Sequence, residues 1–426
     1  MISGGSSSQP SADRLALLYH LTQTFNSSLD LEEVLNRVMD EVIVATRAER
    51  GFVMLRDENG VLDFRVARGI DQNTIRQPTF QVSMGVVETV AREGKPALTG
   101  DAMTDPRFSM QQSVRILGLR SVLCVPLKLK DRILGVVYVD NRVQAGVFSQ
   151  DDLGLLSAIS SSAAVAIENA RLYQLAVEKG RLERELQMAR QVQISMLPTE
   201  TPKLPGWEIA AMWQPARQVA GDYYDFIQFP DHKVGLVIAD VSDKGMPAAL
   251  FMATTRSIVR TSLGQAGSWV EGITHANRLL CLESTDGMFV TLFFACLVPR
   301  TGEVVYVNAG HNPPIFCQAK RTSGPVQLAL LGRTGMALGV DSELPYREQT
   351  LKLKSGDFIL FYTDGVTDAL DRTGSLYGLE RLQQVLSENR EASANDILTE
   401  VKKSVRSFSE QTAPFDDITM MILKRL

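Results

Sequence analysis

Apolar residues in the first third of the chain change repeatedly between helical and strand spacing. Residues Leu31 to Val42 repeat every three or four positions after Asp30, which predicts an amphipathic helix with Asp30 at its N-cap. Leu15 to Phe25 share another helical face. Two pairs of apolar runs, at about 51–66 and 120–140, are separated by polar turns and predict hairpins. This order predicts an α+β domain with a mostly antiparallel sheet.

A single long helical stretch follows, from about Ser149 to Leu197. It contains no proline, and apolar residues recur at heptad a and d positions, which predicts a coiled coil or an inter-domain rod. Polar residues and Gly180 interrupt the pattern. They leave open a helix packed on its own domain or two helices broken apart, but the spacing favours a dimeric coiled coil. Pro198 ends the stretch.

The remainder of the chain predicts a second domain of strands with helices between them. Gly245-Met-Pro opens a helix that continues to about Leu263, with proline in its first turn. Acidic residues stand at strand ends, which indicates stacked sheets with a site at one edge. The predicted strands are Val234–Asp240, Phe289–Val298, Val304–Asn308, Phe358–Tyr362 and Ile418–Leu423.

Composition restricts the class of protein. The 426 residues predict two or three domains, and 45% hydrophobic with 22% charged residues is typical of a soluble globular protein. A net charge of −5 argues against nucleic acid or an anionic membrane as partner. The longest apolar stretch, Phe289 to Val298, is too short to cross a bilayer. Residues 1–11 resemble a disordered leader rather than a signal peptide. The four cysteines form no CxxC pair, and a cytoplasmic location is therefore expected.

Acidic clusters in the second half of the chain carry the candidate chemistry. They are Asp222 with Asp225, Asp240, Asp364, and Asp416 with Asp417. Carboxylates with few histidines or cysteines beside them suit Mg²⁺ or Mn²⁺, and oxygen ligands around two such ions can activate water against a phosphate ester. Asp222 and Asp240 are predicted as core ligands, with Asp364 and Asp416 completing the second position. Taken alone, each aspartate is more often an ordinary turn residue.

Other phosphatase mechanisms fit the chain less well. A cysteine nucleophile needs an arginine six residues downstream to bind phosphate. The residues at that spacing are Lys130, Gly287, Gly302 and Ser323. His311 lies in the turn-rich Asn-Ala-Gly-His-Asn-Pro-Pro, where a structural role is favoured over catalysis. No Gly-rich Walker-type loop supports a nucleotide-processing enzyme.

The C-terminal motifs resemble the metal-dependent (PPM-type) serine/threonine phosphatases, specifically their bacterial RsbU/SpoIIE-like subgroup. The resemblance extends from about Glu185 to Leu426. It rests on the segments Ala189–Pro198, Val219–Asp225, Ala239–Ala249, Phe289–Phe293, Asn308–Pro314, Phe361–Ala369 and Phe415–Met421.

This resemblance implies an α-β-β-α sandwich with two Mn²⁺ or Mg²⁺ ions at one edge. The implied ligands are Asp222, Asp240, Asp364 and Asp416, with the carbonyl of Val241. Asp417 and Asp225 are candidates to support the ligands or the phosphate. Arg217 stands where the wider family has a phosphate-binding arginine, and a surface salt bridge is its alternative role.

Two positions depart from the family pattern. Asp243 stands where many relatives have glycine, and it adds a carboxylate near the site. Ser242 stands where eukaryotic-type members have a histidine proposed as general acid. The number of metal ions and the proton donor are therefore open.

The N-terminal block resembles a GAF domain. The supporting segments are Arg120–Leu127, Leu134–Asp140, Phe148–Leu153 and Ala166–Tyr173. The ligand of this domain is unknown. Cys124 is followed by valine and His20 is the only histidine in this half, which disfavours bilin and haem. A cyclic-nucleotide motif is only partial, because Leu153 replaces its closing glutamate.

Taken together, these features indicate a cytoplasmic homodimeric sensor phosphatase. The expected domains are a GAF sensor at 12–165, a signalling helix at 166–200 and a phosphatase at 201–426. The resemblance implies a phosphorylated STAS-type anti-sigma-factor antagonist as substrate, in a partner-switching pathway. Neither nucleic acid nor membrane is an expected partner. The alternative is a partner-binding scaffold with a degenerate phosphatase domain.

Overall fold

A five-stranded antiparallel sheet forms the centre of the first unit of the protein. The computed structural model describes residues 23–25, 27–69, 71, 74, 82–102, 104–106, 119–284, 287–319, 328–410 and 416–426. The strands are β1 (Arg50–Arg56), β2 (Leu62–Gly69), β3 (Ala97–Thr99), β4 (Ser121–Leu129) and β5 (Arg132–Asn141). Their order is β2-β1-β5-β4-β3. Both predicted hairpins are confirmed. The expected leader at 1–11 and the helical face at Leu15 to Leu21 lie outside the described residues.

Helices cover both faces of this sheet. The helix Leu31–Thr46 begins at Asp30, whose carboxylate accepts a hydrogen bond from the Glu33 amide at 2.9 Å, as the sequence predicts. Its apolar side packs on one face, and the helix Met84–Glu93 packs on the other. Alternate residues of β4 divide between these two cores, and each large side chain buried there contributes about 1.5–3 kcal/mol.

The linker helix, Gln150–Met196, is continuous over 47 residues. Ser149 and Asp152 form a capping box at its start, with the Ser149 amide donating to the Asp152 carboxylate at 2.8 Å. Gly180 does not break the helix, so the alternative of two separate helices is wrong. Contacts divide the chain into two units within this helix, Met1–Arg181 and Leu182–Leu426.

The first part of the linker helix is a core element, and the later part is exposed. Ile159, Ala163 and Ile167 are buried in the first unit. In the described part of the chain, this is the one helix that is long and apolar enough to cross a membrane, because a window of 18 residues within it has a mean hydropathy of 1.3. Of that apolar window, 44% is buried, and core helices of soluble proteins meet the same condition. The observation therefore assigns no membrane span.

Two antiparallel sheets of five strands each form the second unit. The first has the order β13-β10-β9-β8-β7 and the second β12-β11-β14-β15-β6. The strands are β6 (Trp207–Gln214), β7 (Tyr223–Gln228), β8 (Val234–Val241), β9 (Val290–Val298), β10 (Glu303–Ala309), β11 (Ile315–Cys317), β12 (Leu328–Leu330), β13 (Gln349–Lys352), β14 (Phe358–Tyr362) and β15 (Ile418–Arg425).

The two sheets stack face to face, and a pair of helices covers each outer face. The core between the sheets joins residues such as Ile238 and Phe293 to Phe361 and Met421. The helices Met246–Gln265 and Trp269–Glu283 pack on the first sheet. The helices Gly378–Glu388 and Ala394–Phe408 pack on the second. This confirms the predicted α-β-β-α sandwich, and hence an α+β chain with two folded units.

Pairing of the strands brings the acidic segments to one edge. In the first sheet, Tyr223 at the start of β7 pairs with Ala239 near the end of β8. In the second sheet, Tyr362 at the end of β14 pairs with Met420 near the start of β15. Residues just outside these pairs therefore meet at the same end of the sandwich, although they are far apart in sequence.

Candidate metal centre

Asp222 lies at the centre of the acidic edge. Its side chain is buried, and two hydroxyl groups donate to the same carboxylate oxygen, Thr363 Oγ1 at 2.7 Å and Thr419 Oγ1 at 2.8 Å. The Thr419 amide in turn donates to the Thr363 hydroxyl at 3.0 Å. The two strands of the second sheet thus hold a carboxylate that belongs to the first. Sequence reasoning missed both threonines, although Thr363 directly precedes Asp364 and Thr419 follows Asp417 by two residues.

Electrostatic interactions link the acids to one another, and Asp240 interacts with all of the others. Burial, reinforced by the charges of Asp240 and Asp417, raises the pKa of Asp222 well above its usual value. Burial and the nearby Asp364, Asp416 and Asp417 raise the pKa of Asp240 to about 7. Carboxylates in such a group resist simultaneous ionisation because like charges repel at short range. The four predicted ligand aspartates therefore form one mutually repelling cluster, in which Asp222 is buried and the other three are partly exposed.

Asp364 and Asp416 occupy the more open side of this cluster. Burial and the charges of Asp416 and Asp368 raise the pKa of Asp364. Lys244 Nζ forms an ion pair with Asp416 Oδ2 at 2.6 Å. Both side chains of this pair are about one-third exposed, at 35% and 32%. The cluster is thus partly neutralised by a lysine that sequence reasoning did not single out.

Asp417 supports the loop that carries Asp222. Its two carboxylate oxygens accept hydrogen bonds from the backbone amides of Ala216 and Gly221, at 2.8 and 2.9 Å. Each oxygen therefore has a main-chain donor, and the loop between β6 and β7 is fixed to the start of β15. The structure places Asp417 as a residue that positions Asp222.

Two glycines allow the backbone segments to approach closely. A Cβ atom on Gly221 would lie 3.1 Å from the carbonyl oxygen of Val241, the expected backbone ligand. A Cβ atom on Gly365 would lie 2.0 Å from the carbonyl oxygen of Asp417. Only glycine fits at Gly365, because a contact this short is a steric clash. Packing therefore determines the residue next to Asp364 and leaves little room for a larger residue next to Asp222.

Asp225 does not join the cluster. Side chains alternate along β7, so Asp225 faces the outer helices together with Tyr223 and Ile227, which belong to the helix-facing core. There its buried carboxylate binds Arg260 Nη1 at 2.7 Å and Arg256 Nη2 at 3.3 Å. The expectation of a supporting role near the ligands is therefore replaced by an ion-pair network that attaches β7 to the helix Met246–Gln265.

Arg217, Asp243 and Ser242 have distinct surroundings. Arg217 is exposed on the loop between β6 and β7 and has no ion pair with another described residue. Asp243 is exposed and has a left-handed φ of 77°, a conformation that glycine adopts without strain. The Ser242 hydroxyl accepts a hydrogen bond from the Phe289 amide at 2.9 Å. Ser242 therefore has a structural contact in this loop.

His311 connects the acidic edge to the interior. Its ring Nδ1 lies 2.9 Å from the Thr291 hydroxyl, and its backbone amide donates to Asn308 Oδ1 at 2.8 Å. Burial lowers the pKa of His311 to about 3, so the imidazole is neutral at physiological pH. These contacts favour the structural role that the sequence indicates.

The donor set fits hard divalent cations. Within the described ranges, no group of three or more His, Cys, Asp or Glu side chains has the geometry to hold a metal ion. The clustered groups nevertheless offer only carboxylate and carbonyl oxygens, the donors that Mg²⁺ and Mn²⁺ prefer, and added positive charge would relieve their repulsion. The residues that would hold such ions are Asp222, Asp240, Asp364, Asp416 and the Val241 carbonyl.

Comparisons with known proteins agree with this geometry. Residues 30–167 match the GAF domain family, and residues 230–426 match the Stage II sporulation protein E (SpoIIE) family. The chain is 30% identical over 303 residues to Protein IcfG of Synechocystis sp., covering 65% of this chain and 46% of that protein. It is 29% identical over 245 residues to Phosphoserine phosphatase RsbU of Bacillus subtilis, covering 57% of this chain and 71% of that protein.

Among solved structures, the SiaA-PP2C domain of Pseudomonas aeruginosa superposes with a TM-score of 0.52. The match covers 59% of this chain and 99% of that chain at 18% identity, and it establishes the fold. The second unit thus has the PP2C-type fold with an acidic cluster at the edge of its sheets. The chain joins a GAF domain to a domain of the SpoIIE family, which confirms both resemblances. It spans about half of the length of IcfG, at 46%.

Proposed function

We propose that this protein is a metal-dependent protein serine/threonine phosphatase. The observation that carries the proposal is the convergence of Asp222, Asp240, Asp364 and Asp416 from four distant segments into one cluster, in which Asp222 is buried and the other three are partly exposed. Holding several like charges close together is unfavourable, so their retention at one edge is best explained by bound cations. Similarity to a protein named phosphoserine phosphatase supports the same reaction class.

Some residues of this site would bind the metal ions, and others would orient the ligands or neutralise their charge. Two Mn²⁺ or Mg²⁺ ions in this cluster would supply the Lewis acidity that activates water and neutralises the phosphate ester. Thr363 and Thr419 orient the Asp222 carboxylate. Asp417 fixes the loop before Asp222, and Lys244 offsets the charge of Asp416.

The substrate and regulation belong to the same proposal. The substrate is a phosphoserine or phosphothreonine protein, with a STAS-type anti-sigma-factor antagonist as the specific candidate. The GAF domain, at 12–165, regulates the phosphatase domain, at 201–426, through the helix at 166–200. Three of the four free cysteines are buried, which suits a cytoplasmic protein.

Exposed apolar residues along the later part of the linker helix support a homodimer. Such a stripe on a long helix is the pattern of a coiled-coil seam, and a second copy of the helix would cover it. The exposed residues that keep the heptad a and d spacing are Leu172, Leu175 and Leu182.

The experiment compares hydrolysis of p-nitrophenyl phosphate and of a phosphoserine peptide with Mn²⁺ present. Asp240→Asn and Asp364→Asn should each reduce kcat by at least about 100-fold, because each removes a ligand charge. Asp231→Asn is the matched control, since Asp231 is exposed and its left-handed backbone suits asparagine. Inactive wild-type protein that still binds a phosphoprotein partner would support the scaffold alternative instead.

A further inference from the structure

Gln193 is a buried polar residue at the end of the linker helix. It is only 5% exposed, whereas its neighbours Val192 and Ile194 are exposed. A buried side-chain amide is unfavourable unless its donors and acceptor are paired. The contacts of this amide therefore indicate what the position requires.

The Gln193 amide binds the backbone of two segments next to predicted ligands, the loop before Asp222 and the helix after Asp240. Its Oε1 accepts a hydrogen bond from the Ala220 amide at 3.1 Å, and its Nε2 donates to the Ala220 carbonyl at 2.9 Å. Nε2 also lies 3.3 Å from the Ala249 carbonyl, in the first turn of the helix Met246–Gln265. One side chain thus pairs with both main-chain polar groups of Ala220, as a neighbouring strand would, and also reaches the helix that follows Asp240.

The segment held in this way is the one that presents Asp222. Gly221 separates Ala220 from Asp222, and its amide donates to Asp417 at 2.9 Å. Gly221 also packs against the Val241 carbonyl, with only 3.1 Å between that oxygen and an added Cβ. A shift of Ala220 would therefore move the Asp222 carboxylate and the Val241 carbonyl relative to each other.

The geometry points to Gln193 as a positioning residue that holds the Ala220–Asp222 segment in its ligand-binding conformation. The inference rests on the proposed function and deepens it, because Gln193 belongs to the same continuous helix as the first unit. A change in the rotation or register of that helix would reach Asp222 through these three hydrogen bonds. Hydrophobic contacts alone, such as those of Leu197, have no comparable directionality.

The test compares Gln193→Met with Gln191→Met in the full-length protein. Methionine keeps the length of the side chain and removes the hydrogen bonds, and Gln191 is exposed two residues earlier on the same helix. Mn²⁺ affinity is measured by isothermal titration calorimetry. The values of kcat and KM are measured with p-nitrophenyl phosphate as substrate. Unfolding is followed by tryptophan fluorescence, because all three tryptophans, Trp207, Trp213 and Trp269, lie in the second unit.

Gln193→Met should bind Mn²⁺ about tenfold more weakly and lose kcat by a similar factor, with KM within twofold. Gln191→Met should match wild type in Mn²⁺ affinity, kcat and KM. Mn²⁺ affinity and kcat within twofold of wild type for Gln193→Met would overturn the inference, as would a lowered Tm with unchanged Mn²⁺ affinity. If the methionine variant does not fold, Gln193→Asn, whose amide is one methylene shorter, is judged by the same criteria. Wild-type protein that neither binds Mn²⁺ nor hydrolyses the ester would instead refute the proposed function.

Discussion

Burial of His311 makes the stability of the second unit sensitive to acid. Its imidazole contacts the Thr291 hydroxyl, and its pKa falls from about 6.5 when exposed to about 3 in the folded protein, mainly through burial. Between these values the unfolded chain binds a proton and the folded protein does not. The stability associated with neutral His311 is therefore present above pH 6.5 and is lost as the pH falls toward 3.

The size of the effect follows from the two pKa values. A pH of 5 is about 1.5 units below the pKa of the exposed imidazole in the unfolded chain. Each of these units stabilises the unfolded state, through protonation, by about 1.4 kcal/mol. His311 should therefore lower the free energy of unfolding by about 2 kcal/mol between pH 7.5 and pH 5. Other groups titrate in the same range, so the comparison must be made with a variant that lacks this imidazole.

The assay is urea unfolding followed by tryptophan fluorescence at both pH values. His311→Gln is less stable than wild type at pH 7.5, but its loss between pH 7.5 and pH 5 should be about 2 kcal/mol smaller. His232→Asn is the control, because His232 is exposed with a left-handed φ of 57° that asparagine accepts. Equal pH dependence in His311→Gln and wild type would show that this burial has no thermodynamic consequence.

Three further predictions follow from the same structure. Asp243→Gly should match or exceed wild type in stability, whereas Asp243→Ala should be about 1 kcal/mol less stable than the glycine variant, because alanine disfavours a left-handed φ; equal urea midpoints would contradict this. Asp225→Ala should lower the free energy of unfolding by about 3 kcal/mol, because two arginines lose a buried partner; a loss below about 0.5 kcal/mol would show that the network is unimportant. Leu186→Glu and Met196→Glu should change kcat without altering any ligand, and unchanged kinetics in both would argue against gating by the linker helix.

Local sequence patterns were sufficient for the elements and for the edge where the acids meet. The Asp30 cap, both hairpins and the continuous linker helix depend on residues a few positions apart, which a single sequence displays directly. Asp222, Asp240 and Asp364 could be selected because each follows or precedes an apolar run. The resemblance to known families then predicted that these aspartates, which lie in separate turns, form one site.

Contacts between distant segments could not be read in the same way. Thr363 and Thr419 lie 141 and 197 residues from Asp222, and nothing local to either motif indicates that they share its carboxylate. Asp225 seemed to belong with Asp222 because they are close in sequence, but alternation along β7 sends it to the opposite face. Gln193 resembled any polar interruption of a heptad pattern until its buried partners were visible.

Because the linker helix is continuous, its length sets the rotation of the residues at one end relative to the other. At 1.5 Å per residue, 47 residues extend about 70 Å, and each residue inserted or deleted turns everything beyond it by about 100°. A seven-residue insertion nearly preserves the angular phase, whereas a two-residue insertion reverses it. Natural relatives that differ in spacer length should therefore differ in steps close to whole heptads.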